Sequence, residues 1–248
     1  MIINTQTIKK SGGGRGTYQV EAGFLSGYNE LIRPSLHTPD GSAIILSDNP
    51  ADYTKVDWLS NGATGAIIVL PFYPNNNSRI KLSVKTDNND SRLAGARRDA
   101  INQAFTVSIY QSSVFSDYGT ERINLSVTLS GGFDVIDKNK RNVYLNGNLI
   151  GTNASATFSS PVPMALFDWN QNAGLMGPTT DEIIMEYAQV YDNDNLSYDL
   201  IPVYYNFYPI NGMFDAIHNR FYMAQRGTFE IPSDTSNEIN LATYLANR

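Results

Sequence analysis

Between Asn193 and Phe229 the chain alternates short apolar runs with turn residues, and this spacing constrains the fold more than any other feature. Ile201-Pro202-Val203, Gly212-Met213-Phe214-Asp215, Arg220-Phe221-Tyr222 and Gly227-Thr228-Phe229 are each too short for a helix. Aromatic and β-branched residues, which pack well on a pleated surface, dominate them. Asn193, Asn195, Asn211-Gly212, Asn219 and Gly227 separate the runs, because Asn and Gly tolerate the left-handed backbone of tight turns. Asn146-Gly147, between Tyr144-Leu145 and Leu149-Ile150, is the sharpest of these signals, since a type I′ hairpin turn needs positive φ at both central positions.

Similar runs recur at residues 66–70, 79–84, 105–110, 122–129, 142–145, 164–167, 183–191 and 201–205. Residues 124–129 alternate polar and apolar, the period of a strand with one wet face. So many strands with loops of mixed length predict an all-β fold of two packed antiparallel sheets. Helix is expected only at residues 91–104, which are Ala-rich and free of Pro, and as a short terminal piece within residues 237–245. Ser11-Gly12-Gly13-Gly14-Arg15-Gly16 reads as a flexible joint; it lacks the Gly-Lys-Ser/Thr ending of a phosphate loop.

Three pieces of the chain resemble one family. Asp199-Leu200-Ile201-Pro202-Val203 with the runs that follow it is similar to the closing strands of concanavalin A-like (LamG/pentraxin-like) jelly-roll modules, found in bacteriophage tail-fibre and other virion proteins. Gln225-Arg226 departs from that pattern, standing where the family has a small turn. Tyr53 to Ile67, with Trp58 and Gly62, followed by Pro74-Asn75 and Arg79-Ile80-Lys81-Leu82, resembles the module's first strands. Val143-Tyr144-Leu145-Asn146-Gly147-Asn148-Leu149-Ile150 resembles its middle hairpin. The pieces lie in family order. The resemblance implies a concanavalin A-like antiparallel β-sandwich (jelly roll) with an N-terminal extension: an attachment arm at 1–50, the sandwich at 51–231 and a tail at 232–248.

Composition narrows the function classes. The chain's 248 residues suffice for one large core, and 18 basic against 24 acidic residues give a net charge of −6. With no basic block, a phosphate backbone is a poor partner, so no nucleic acid is expected. Arg92, Arg97 and Arg98 share their segment with Asp87, Asp90 and Asp99 and read as a solvated loop. Cysteine is absent, which removes disulfides and thiolate metal sites, and His37 and His218 alone do not make a zinc site. The N-terminus lacks the apolar stretch of a secretory signal, and no segment is apolar enough for membrane insertion.

For chemistry, Glu182 and Glu186 are the nearest approach to a glycosidase strand, but the position between them is Ile184 rather than an acid. No catalytic residue, metal or cofactor is therefore expected. The Asx-rich stretches 87–90 and 192–195 lack a calcium-loop pattern and read as turns. The candidate ligand-binding residues are Trp169 with Asp168, Asn170 and Asn172, together with Tyr118: an aromatic ring flanked by fixed polar groups is how many lectins hold a sugar. The resemblance implies a non-enzymatic bacteriophage virion protein, a head or tail fibre or adhesin assembled in the host cytoplasm. It would contact host-surface glycan or neighbouring virion proteins through the arm, as a homo-oligomer with a trimer favoured by analogy. The alternatives are a bacterial surface or secreted carbohydrate-binding protein, and a purely architectural virion protein.

Overall fold

The computed structural model describes residues 46–62, 65–86, 90–99, 102–171, 181–234 and 236–248 in full. It also describes the backbone of strands at residues 3–9, 17–23, 35–37, 43–44 and 174–175. The first four strands, β1 (Ile3–Lys9), β2 (Thr17–Gly23), β3 (Ser35–His37) and β4 (Ala43–Ile44), pair antiparallel in sequence order as a separate sheet. The arm thus carries regular structure where only short apolar pieces were expected. Tyr18, Val20 and Ala22 alternate with Thr17, Gln19 and Glu21, a period-2 pattern that suits β2. The glycine run lies between β1 and β2, which pair with each other.

The strands continue as β5 (Tyr53–Lys55), β6 (Leu59–Ser60), β7 (Ile68–Val69), β8 (Ser78–Thr86), β9 (Asp90–Arg97), β10 (Ala104–Tyr110), β11 (Ser113–Gly119) and β12 (Glu121–Ser126). Then come β13 (Asp134–Asn139), β14 (Asn142–Leu145), β15 (Asn148–Thr152), β16 (Ala165–Leu166), β17 (Asn170–Gln171), β18 (Gly174–Leu175) and β19 (Ile183–Asp192). The chain closes with β20 (Asn195–Tyr205), β21 (Asn211–Asp215), β22 (Arg220–Met223), β23 (Ile239–Asn240) and one helix, α1 (Leu241–Ala246).

They form two sheets. The smaller runs β12-β11-β10-β9-β16-β7, with β17 and β18 alongside; the larger runs β15-β14-β13-β8-β19-β20-β21-β22, with β5, β6 and β23 attached. Pairing is antiparallel except between β17 and β9. Asn146 and Gly147 have φ of 50° and 83°, the hairpin turn expected of them. Asn146 adds hydrogen bonds to Val135 and Asp134. Residues 192–195 form the β19–β20 hairpin turn, with Asn193 and Asp194 at positive φ.

The main core lies between the sheets. Phe105, Val107, Ile109 and Val114 of one face Leu82, Val84, Met185, Val190 and Leu200 of the other, all buried. A second core lies on the outer side of the larger sheet. There Ile201, Val203, Phe214 and Phe221 are covered by Leu46, Tyr53 and Leu241. Residues on both sides of 51–231 contribute to this core. Leu46 packs on the sandwich, the 3₁₀ turn Pro50–Asp52 leads into β5, and the Tyr53 hydroxyl binds the Ser47 carbonyl. The tail at 232–248 is integral too, because β23 pairs with β5 and α1 buries Leu241. At six residues, α1 is too short to persist without that burial.

One helix expectation is overturned. Residues 91–104 hold strand β9 and the start of β10. Leu93, Ala94 and Ala96 turn into the core while Arg92 and Arg97 point away, and Gly95 sits at φ +148°, outside the helical range. Alanine's helix propensity is a weak preference, and burial against β10 and β16 outweighs it here.

Candidate functional site

Trp169 follows β16 and lies across the outer face of the smaller sheet. That face is set by alternation: Phe105 and Val107 enter the core, so Thr106 faces outward, as do its register partner Asp117 and then Arg122. Trp169 is only 7 % exposed. Its indole N–H donates to the Val107 carbonyl at 3.3 Å, and the guanidinium of Arg97 stacks 4.6 Å from its ring, with Arg92 and Arg122 each at 5.8 Å. The ring offers no open face for a sugar, so the expected stacking platform is a covered one.

The flanking residues are equally committed. Asp168 is fully buried and accepts from its neighbour's backbone N–H, from Arg226 at 3.1 Å and from Arg92 at 3.5 Å. Burial pushes its carboxyl up from the ordinary value, opposed by those donors. Asn170 donates to the Pro163 carbonyl at 2.9 Å. Asn172 lies outside the described residues, as does the 87–89 stretch. Tyr118, the other candidate ligand contact, belongs to β11: its ring enters the core against Phe158, and its hydroxyl donates to the Asn76 carbonyl at 2.7 Å.

Arg92 and Arg97 correct the solvated-loop reading; only Arg98 of the three is exposed. Burial lowers the Arg97 guanidinium from its usual value, Asp117 acting against it. Arg122 holds Asp117 with two bonds, at 2.6 and 2.8 Å, and that hydrogen bonding raises its own pKa. The assembly pins the segment after β16 onto the sheet.

An open-sided groove of about 640 Å³ lies on the opposite side of the molecule, on the outer face of the larger sheet. Its floor is Lys81 of β8 with Glu186, Tyr187 and Gln189 of β19; Ile80 and Leu82 point the other way, into the core. Lys55 at the end of β5, Asp57 and Trp58 just after it, Tyr244 and Arg248 at the C-terminus, and Phe133 complete the lining. A bulge in β19 between Met185 and Tyr187 interrupts the alternation and brings Glu186 and Tyr187 together at the floor.

The charged groups here are largely fixed by one another. Lys55 reaches Asp57 at 3.5 Å and lies 5.3 Å from the Tyr244 ring. Asn237 also donates to Asp57, at 2.9 Å. The Ser83 hydroxyl donates to Glu186 at 2.5 Å, and Arg248 forks onto Asp199. By contrast, among the described residues the Trp58 indole N–H, the Lys81 ammonium and the hydroxyls of Tyr187 and Tyr244 donate no hydrogen bond within the protein. Burial first, and then the Glu186 carboxylate, raises the Tyr187 hydroxyl, which keeps it a neutral donor. Half-exposed rings beside uncommitted donors are what a polar, flat-faced ligand needs.

Glu182 and Glu186 do not act as a pair: Glu182 accepts from Ser60 at 2.7 Å, and only Glu186 reaches the groove. His218 binds Asp215 at 2.5 Å, and no cluster of three or more His, Cys, Asp or Glu side chains suited to a metal occurs among the described residues. Sequence comparison with protein-family models gives no match, and no curated protein matches the chain.

Proposed function

We propose that this protein is a non-enzymatic glycan-binding module of a bacteriophage virion, and that it holds a saccharide in the groove between Trp58, Tyr187 and Tyr244. The observation that carries the reading is the pairing of half-exposed rings with donors that none of the described residues engages: the Trp58 N–H, the two tyrosine hydroxyls and the Lys81 ammonium. Saccharides present apolar C–H faces and dense hydroxyls, which match rings and donors respectively. Binding rather than hydrolysis is favoured because both carboxylates at the groove are engaged, Glu186 by Ser83 and Asp57 by Lys55 and Asn237.

The virion setting rests on the three pieces of sequence that resemble phage fibre modules in family order. In that setting the N-terminal sheet attaches the sandwich to neighbouring virion proteins. A single shallow groove binds weakly, so useful adhesion comes from several copies in one homo-oligomer, a trimer by analogy with fibres, where linkage raises avidity about a hundredfold or more.

The test is a screen of the full chain against an array of bacterial surface polysaccharides, with Trp58→Ala and Tyr187→Ala beside it. Wild type should bind a defined subset, and each variant should lose at least about tenfold in affinity, equivalent to about 1.4 kcal/mol. Undiminished binding by both variants, or a blank array with a stable multimer, would overturn the reading; the second result would point to a cementing role.

A further inference from the structure

Position 138 of β13 shares its interior face with Ile136, so the Lys138 side chain runs between the two sheets and is fully buried. Its ammonium lies 4.9 Å from the Phe105 ring and 5.3 Å from that of Tyr118, and it donates to the Ser116 hydroxyl at 2.5 Å. Among the described residues no carboxylate comes within ion-pair distance of it. The same Ser116 hydroxyl donates to Asn153 Oδ1 at 2.9 Å, and Asn153 Nδ2 donates to the Ser116 carbonyl at 3.2 Å. Ser116 and Asn153 are at most 1 % exposed. An amine and a carboxamide are thus both held on one serine, in the buried interior. A buried lysine without a carboxylate is costly to keep as a mere packing element.

We propose that Lys138 and Asn153 join in an intramolecular amide bond. Nζ attacks the Asn153 Cγ, forming the Nζ–Cγ bond. The Ser116 hydroxyl, in contact with both groups, passes a proton from Nζ to Oδ1 as the tetrahedral centre forms. Collapse of that centre breaks the Cγ–Nδ2 bond and returns the proton to the departing nitrogen, so one ammonia leaves and no oxidant or external reagent is consumed. Burial supplies the nucleophile, since it pulls the amine down to about 7 and leaves much of it neutral at physiological pH. Burial also excludes the water that would compete for the carboxamide. The product ties β13 to the residue just after β15, which staples the β13-β14-β15 edge of the larger sheet.

Intact mass and peptide mapping of the purified, folded full chain test this. The chain should be lighter than its composition by one ammonia, and digestion should release a branched peptide joining the Lys138 and Asn153 segments. The Asn153→Ala chain should have the mass of its composition. Recovery of Lys138 and Asn153 in separate, unmodified peptides overturns the proposal, as does an ammonia loss that maps to other residues. The wild-type map decides the matter alone if the variant does not fold.

Discussion

Leu241→Ala should destabilise the whole sandwich, although Leu241 lies in the tail beyond it that the sequence predicts at 232–248. The side chain is fully buried in a cluster with Tyr53, Ile201, Val203 and Phe214, on the outer face of the larger sheet. Truncating a buried leucine to alanine costs about 2–5 kcal/mol, the transfer of the lost methylenes plus the cavity they leave. Taking about 3 kcal/mol, and about 2–4 °C of melting temperature per kcal/mol for a chain of this size, Tm should fall by about 6–12 °C. Against a net stability of about 5–15 kcal/mol that is a large fraction. Tyr244 and Arg248 reach the groove from the same helix and chain end, so glycan binding should weaken with it. Thermal unfolding followed by near-ultraviolet circular dichroism, checked by urea titration, reads the effect. A Tm shift under about 2 °C, less than one kcal/mol at this chain length, would show that α1 is an appendage and that the second core does not contribute as argued.

Trp169→Ala should also lower stability, by about 3–5 kcal/mol in chemical denaturation, because it empties a buried site beneath Arg97; an unchanged midpoint would restore Trp169 as a displayed ligand contact. Removing residues 1–44 should leave Tm nearly unchanged, whereas removing residues 1–52 strips Leu46 and the Ser47 carbonyl from Tyr53 and should lower it by several degrees. Equal melting of the two truncations would contradict the contribution of Leu46 to the second core. In the Asn153→Ala chain the Lys138 amine stays free, with a folded pKa near 7 against an ordinary value of 10.5. Between those values the unfolded chain binds more protons than the folded one, so this variant's stability should rise from pH 7 towards pH 10; a flat profile there would contradict the buried, amine-bearing position of Lys138.

The strands were largely legible because each is a local event. Residues 79–84, 105–110 and 183–191 show their β-branched and aromatic content directly, and Asn146-Gly147 announces its own turn geometry. Residues 91–104 misled because alanine count is a local quantity, while the burial of Ala94 and Ala96 against β10 is not. Residue type marks Trp169 and Tyr118 as candidates, but type does not reveal on which side of a sheet a ring lands or what covers it. The groove was out of reach for a related reason. Trp58, Lys81, Phe133, Tyr187 and Tyr244 are separated by long stretches of chain and meet only through the pairing of β8, β19, β20 and β5. The outward positions of β8 and β19 were the available signal, and the bulge at Met185/Tyr187 breaks that pattern where it matters.

The chain has two tryptophans, and they report on the two rival surfaces: Trp58 in the groove and Trp169 under the arginines. Titration of the ¹⁵N-labelled protein with a glycan selected from the array, read at the two indole N–H signals and assigned with Trp58→Phe, therefore tests the central claim most directly. The Trp58 signal should move with saturating dependence on glycan concentration while the Trp169 signal stays in place, its proton held by the Val107 carbonyl. Movement of Trp169 with Trp58 unperturbed would contradict the assignment of the groove as the glycan site.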